Sequence, residues 1–212
     1  MLLLIRNFKI LILLFFIHFH AISQTSYSSN NDNITGGGNV AIGLATLRNI
    51  TTGGKNIALG DSALYSNKTG AGNLAVGVRS LKNNTKGLFN VGIGDGALYS
   101  NIDGFFNCAI GTVALASNIS GAGNVAHGYQ ALTANTDGGY NVAMGDGSMM
   151  LNTNGDDNVA MGAYALRNNI SGNGNVAIGS QALFNNTASG NVATGSDALY
   201  NNIDGSHNIA MG

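Results

Sequence analysis

The chain has 212 residues, of which only 9% are charged, and its formal net charge is -1, so it has neither a basic field to hold nucleic acid nor an acidic tail to mimic it. Gly occurs 32 times and Pro never, yet 44% of the residues are hydrophobic and they recur at fixed intervals, which excludes a disordered linker. Glu is missing and Lys and Arg are scarce, which argues against long helices.

Residues 1–23 read as a signal peptide. Arg6 and Lys9 precede the apolar run from Ile10 to Ile17, and Ala21-Ile22-Ser23 offers small residues where a signal peptidase would cut. The run is shorter than the ~20 residues a membrane-spanning helix needs, so export to the cell surface or the medium is expected rather than anchoring. Residues 24–32 are polar and patternless, a short linker.

Residues 33–212 repeat one sentence, Asn-Val-Ala-Ile-Gly-x-x-Ala-Leu-x-x-Asn-Thr-x-Gly-x-x. There are eleven module starts, from Asn39 to Asn208, each 17 residues after the last except for a step of 16 from Asn175 to Asn191; the last module is incomplete. Units this short cannot bury a core alone, so neighbouring copies must cover one another and the product is a stacked solenoid. Positions are counted here from the opening Asn as position 1.

Within each module, Val-Ala-Ile alternates as a strand does. The first and third residues are expected on the core face, which makes Cys108 and His127 substitutes for core aliphatics. Gly at position 5 in all eleven copies predicts a turn with positive φ or a close backbone approach. The second stretch, x-Ala-Leu-x-x, is expected to be another short strand, with a one-turn helix as the alternative. Coils of this length stacked at ~4.8 Å give a rod of roughly 50 Å. The recurring Asn residues are expected to stack into amide ladders that satisfy the turns.

Asn-Val-Ala-Ile-Gly at 39–43 and 175–179, with Asn-Ile-Ala-Leu-Gly at 56–60 and Asn-Val-Ala-Met-Gly at 141–145 and 158–162, resembles the head repeat of YadA-like trimeric autotransporter adhesins. The resemblance implies an all-β, left-handed parallel β-roll, a homotrimer of such rolls, and an adhesin head that attaches to host matrix, cells, or other surface glycans or proteins. It also implies an outer-membrane stalk and barrel, of which these residues show no part, so membrane attachment would depend on an anchor absent from this chain. The coil is longer than the family's usual repeat of near fourteen residues. Similar long-period repeats also resemble fibre shafts that end in a chaperone domain; a glycan- or ice-binding solenoid is a further alternative.

No catalytic, cofactor-binding or metal-binding residues are predicted, and no enzyme. His127 and His207 are the only histidines past the signal, about five coils apart. Asp95, Asp103, Asp137, Asp146, Asp156 and Asp157 could line a calcium stripe, but no Gly-Gly-x-Gly-x-Asp nonapeptide recurs, so they are taken as solvated turn residues. Glycosylation-like triplets such as Asn67-Lys68-Thr69 follow from the repeat's own turn. Tyr65, Tyr99, Phe184 and Tyr200, with Arg48, Lys82 and Arg167, share position 10 and form the expected exposed or subunit-facing stripe.

Overall fold

The computed structural model describes residues 36–212; the expected signal peptide and linker lie outside them. Eleven three-residue strands form one sheet in strict chain order, from β1 (Val40–Ile42) to β11 (Ile209–Met211). Every pairing is parallel and in register, so Val125 of β6 (Val125–His127) lies beside Val142 of β7 (Val142–Met144) and Ala126 beside Ala143. The chain is an all-β solenoid, one coil per repeat.

The second stretch is neither strand nor helix. It is a hydrogen-bonded turn in which backbone handedness alternates, with positive φ at positions 7 and 9, as at Val113 (φ 51°) and Leu115 (φ 53°). The left-handed conformation costs an L-residue roughly 1–2 kcal/mol. Here it allows the amides to pair between coils: Leu115 N–H donates to the Ala131 carbonyl (2.9 Å) and Ser117 N–H to the Thr133 carbonyl (3.0 Å). It also aims each Leu inward, where Leu64 through Leu132, Met149, Leu166 and Leu183 are fully buried.

The core inverts the expected strand orientation. The middle residue of each strand points inward, so Ala58, Ala75, Ala109 and Ala126 are fully buried, while the flanking residues lie half-buried to exposed, as at Val40 and Ile42 of the first coil, 42% and 49% exposed beside the buried Ala41. The lumen of a 17-residue coil already holds a Leu, an Ala and two Asn per turn, which leaves room only for a methyl group opposite them. Where the facing column carries Ser80, the strand residue of the next coil shrinks to Gly92, whose carbonyl accepts from Ser80 Oγ (2.8 Å). Cys108 is therefore half-buried on the outer face rather than buried, and His127 is exposed rather than lodged near the core.

Two columns of buried Asn run the length of the rod. At position 1, Asn107 Nδ2 donates to Asn90 Oδ1 (3.1 Å) and to the Gly121 carbonyl (2.8 Å), while its backbone N–H also donates to Asn90 Oδ1 (3.0 Å). At position 12, Asn118 Nδ2 donates to Asn101 Oδ1 (2.8 Å) and to the Gly121 carbonyl (2.9 Å). Among the described residues, no buried side-chain nitrogen or oxygen lacks a partner. The first coil carries Ile50 in place of the second Asn, and Ile50 is buried as the floor of that ladder. In the 16-residue coil the Ala188 carbonyl replaces the missing Gly carbonyl, accepting from both Asn175 (2.9 Å) and Asn186 (2.7 Å), so the deletion is absorbed within one turn.

Successive amides at the following turn converge on one carbonyl of the next coil. The N–H groups of Thr51, Thr52 and Gly53 all reach the Lys68 carbonyl at 2.9, 3.1 and 3.1 Å. Such a nest normally cradles an anion, and here it grips a backbone oxygen instead.

Candidate interaction surfaces

The outer sheet face is built from positions 2 and 4 of every repeat. In-register stacking turns them into two unbroken files, one running from Val40 through Val142 and Val159 to Ile209, the other from Ile42 through Met144 and Met161 to Met211. Apart from Cys108, His127 and Thr194 the files are aliphatic or Met. A sheet with one wet face ordinarily turns its large apolar side chains inward and its polar ones out. This sheet does the reverse along its whole height. Burial raises the pKa of the Cys108 thiol above its ordinary value.

The position 10 stripe stacks on itself in two places, Lys82 with Tyr99 and Arg167 with Phe184 and Tyr200, and most of its side chains are half-buried. Phe184 and Tyr200 stack at 4.9 Å with planes 3° apart, and the Arg167 guanidinium lies 5.6 Å from the Phe184 ring centre. Lys82 Nζ stands 5.6 Å from the centre of Tyr99. These contacts follow from one-coil spacing and bring cation–π attraction of ~0.5–1 kcal/mol each at exposed sites. Five of the seven side chains expected to be a contact ridge thus lie against one another.

A second aromatic rank, not foreseen from the sequence, lies at position 17, on the corner just before each strand. Phe89, Phe106 and Tyr140 have φ of 53°, 56° and 56° and are 54%, 61% and 67% exposed. Inter-coil amides hold the corner in register: Phe106 N–H donates to the Leu88 carbonyl, Gly123 N–H to Phe105 and Tyr140 N–H to Ala122. Phe89 and Phe106 stack at 5.4 Å, and Phe105 meets Phe106 edge-on at 5.6 Å. Other coils place Gly at this corner, at Gly38, Gly72, Gly123, Gly174 and Gly190. The available signal was positional: one slot that carries Gly in five coils, a large aromatic in three, and Lys55, Asp157 and His207 in the others.

The carboxylates expected to form a stripe are spread over several corners and have local partners. Asp137 Oδ1 accepts from Ser120 Oγ (2.6 Å), Asp156 Oδ1 from the Gly139 N–H (2.7 Å), and Asp95 pairs with Arg79 at 3.3 Å. Among the described residues, no group of three or more His, Cys, Asp or Glu is placed to hold a metal ion. His207 sits on the position 17 corner with φ 60°, far from His127 on the sheet. The position 13 threonines donate along the rod: the hydroxyls of Thr51, Thr85, Thr136, Thr153 and Thr187 each reach a carbonyl of the next coil at 2.6–3.1 Å. They form no outward-facing rank of free hydroxyls.

Among the described residues, no helix is long and apolar enough to cross a membrane. No protein-family model, curated protein or solved structure matches this chain.

Proposed function

We propose that this chain is the head of a surface-displayed or secreted adhesive fibre, in which three copies pack side by side through the outer sheet face and attach to matrix, cells or other surfaces. One observation carries the reading: the large aliphatic residues of all eleven strands point away from the core, in two continuous files. Files of that height call for an apolar cover, and a parallel copy of the same rod offers one with matching spacing. A rod that repeats the same turns on every coil also presents many weak contacts at once, and three such rods multiply them.

The protein is read as a contact and spacing element and not as a catalyst, since its buried polar side chains are committed to the Asn ladders and to turn carbonyls. The resemblance of its repeats to adhesin heads points the same way, and the expected signal peptide agrees with a place outside the cell. Sedimentation velocity on residues 24–212 tests the assembly: a particle of three chains is expected, and a stable monomer at micromolar concentration would overturn it.

A further inference from the structure

The corner rank at position 17 holds large rings in some coils and Gly in others, on an exposed edge. Its rings lie where five other coils place Gly, in the left-handed region, and burial does not compensate them: Phe106 and Tyr140 are the two most exposed aromatic side chains among the described residues. The core Leu residues share that conformation but are fully buried in return. Lys55, Asp157 and His207 hold the same conformation at this slot, so inter-coil amide bonds set it; what sets the rings apart is large apolar surface left uncovered, which suits a use outside the fold.

The rank also has a gap. Phe106 rests on Phe89, while the Tyr140 ring leans over Gly123, with Cδ1 only 2.8 Å from where a Cβ on Gly123 would stand. Gly123 therefore leaves one coil without a side chain between Phe106 and Tyr140, whose backbones are two coil steps apart, roughly 10 Å. Asp103, Ser120 and Asp137 stand at position 14 of the same three turns, three residues before the rank, and Ser120 Oγ donates to Asp137 Oδ1.

We infer that this step binds one pyranose ring of a neutral glycan. A sugar ring presents a face of C–H groups, weakly positive, which suits the negative face of an aromatic ring, and a rim of hydroxyls that need hydrogen-bond partners. The aromatic rank supplies the first and the position 14 residues the second. A protein partner would need on the order of 800 Å² of contact, and a rank one residue wide that is broken by Gly and charged residues on other coils does not offer it. The carboxylates disfavour anionic sugars by like-charge repulsion. The inference extends the adhesive reading to a ligand class, but the step belongs to a single rod and stands or falls separately from assembly.

Saturation-transfer NMR on the full exported protein tests it, with methyl glycosides of glucose, galactose, mannose and N-acetylglucosamine as neutral probes, sialyllactose as the anionic probe and N-acetylphenylalanine amide as the aromatic probe. Transfer to the ring C–H protons of at least one neutral glycoside is expected, with little to sialyllactose. Phe106→Gly and Tyr140→Gly should each weaken it at least tenfold, and both copy a residue other coils already use there, so circular dichroism and sedimentation should stay as in the wild type. Gly123→Phe, which fills the step with a ring as Phe106 fills its own, should abolish it. Absence of transfer to every neutral glycoside, transfer undiminished in both glycine variants, or stronger transfer to the phenylalanine amide would each overturn the site. Sedimentation of the same samples reports on assembly independently.

Discussion

A Cβ placed on Gly94 would stand 2.5 Å from the Gly111 carbonyl oxygen and 2.6 Å from its carbonyl carbon. The same approach recurs at position 5 of every coil that has another above it, where φ lies between 125° and 142°. Both the handedness of the turn and the separation of adjacent coils thus demand Gly. Gly94→Ala is expected to destabilise the rod by more than ~3 kcal/mol, since backbone strain and a backbone clash add. Thermal unfolding followed by circular dichroism checks this; an unchanged midpoint would mean that the coils can part without cost.

The Asn ladders make a second prediction. Asn118 donates to Asn101 and Gly121, and its own Oδ1 accepts from Asn135 Nδ2 (3.0 Å). Asn118→Ala strands the Asn101 oxygen and one Asn135 donor in a dry interior, while the Gly121 carbonyl keeps its bond from Asn107. Leaving buried partners unpaired costs ~1–3 kcal/mol per group, so a loss of roughly 2–5 kcal/mol is expected. Asn118→Asp should be at least as harmful, because it places a carboxylate against Asn101 Oδ1. Equilibrium denaturation should show both, and a change below ~1 kcal/mol would assign the ladder a negligible role.

The period, the parallel stacking, the Gly turns and the Asn ladders were legible because each depends on residue type at a fixed spacing. Which face of Val-Ala-Ile points inward was not, since alternation groups residues by face without saying which face is buried. A signal was there: position 4 tolerates His127 and Thr194, while position 3 admits only Ala and, opposite Ser80, Gly92. Tolerance of polar residues marks the wet face and size restriction the dry one. The left-handed Leu was illegible in principle, as Leu115 has no local preference for φ 53° and adopts it only because adjacent coils pair their amides there.

Cys108 lies on the outer sheet face between Val91 and Val125. Its pKa is raised by burial, so the folded chain keeps the thiol proton to a higher pH than the unfolded chain does. Unfolding then releases a proton in the interval between the two values. This contribution to stability is complete below the unfolded thiol's pKa and disappears as pH rises through the folded one. The ultraviolet absorbance of the thiolate should therefore appear at higher pH in the native chain than in denaturant. Cys108→Val should remove that part of the alkaline loss of stability; coincident titrations in the two states would contradict it.

The outer sheet face yields the last prediction. Val142 stands beside Val125 and Val159 in the file at position 2, half-buried and pointing away from the core. In a lone rod, Val142→Lys can extend its ammonium group into water, so the strand loses at most ~1 kcal/mol of β propensity and the coil persists. In an assembly packed through this face, the same ammonium would be forced among aliphatic side chains without a partner, at a cost of several kcal/mol per copy. The variant should keep the wild-type circular dichroism spectrum and sediment as a single chain, while Val142→Ile, which preserves the file, should sediment as the wild type does. A Val142→Lys protein that assembles normally would show that the chains meet through another face and that the aliphatic files serve some other contact.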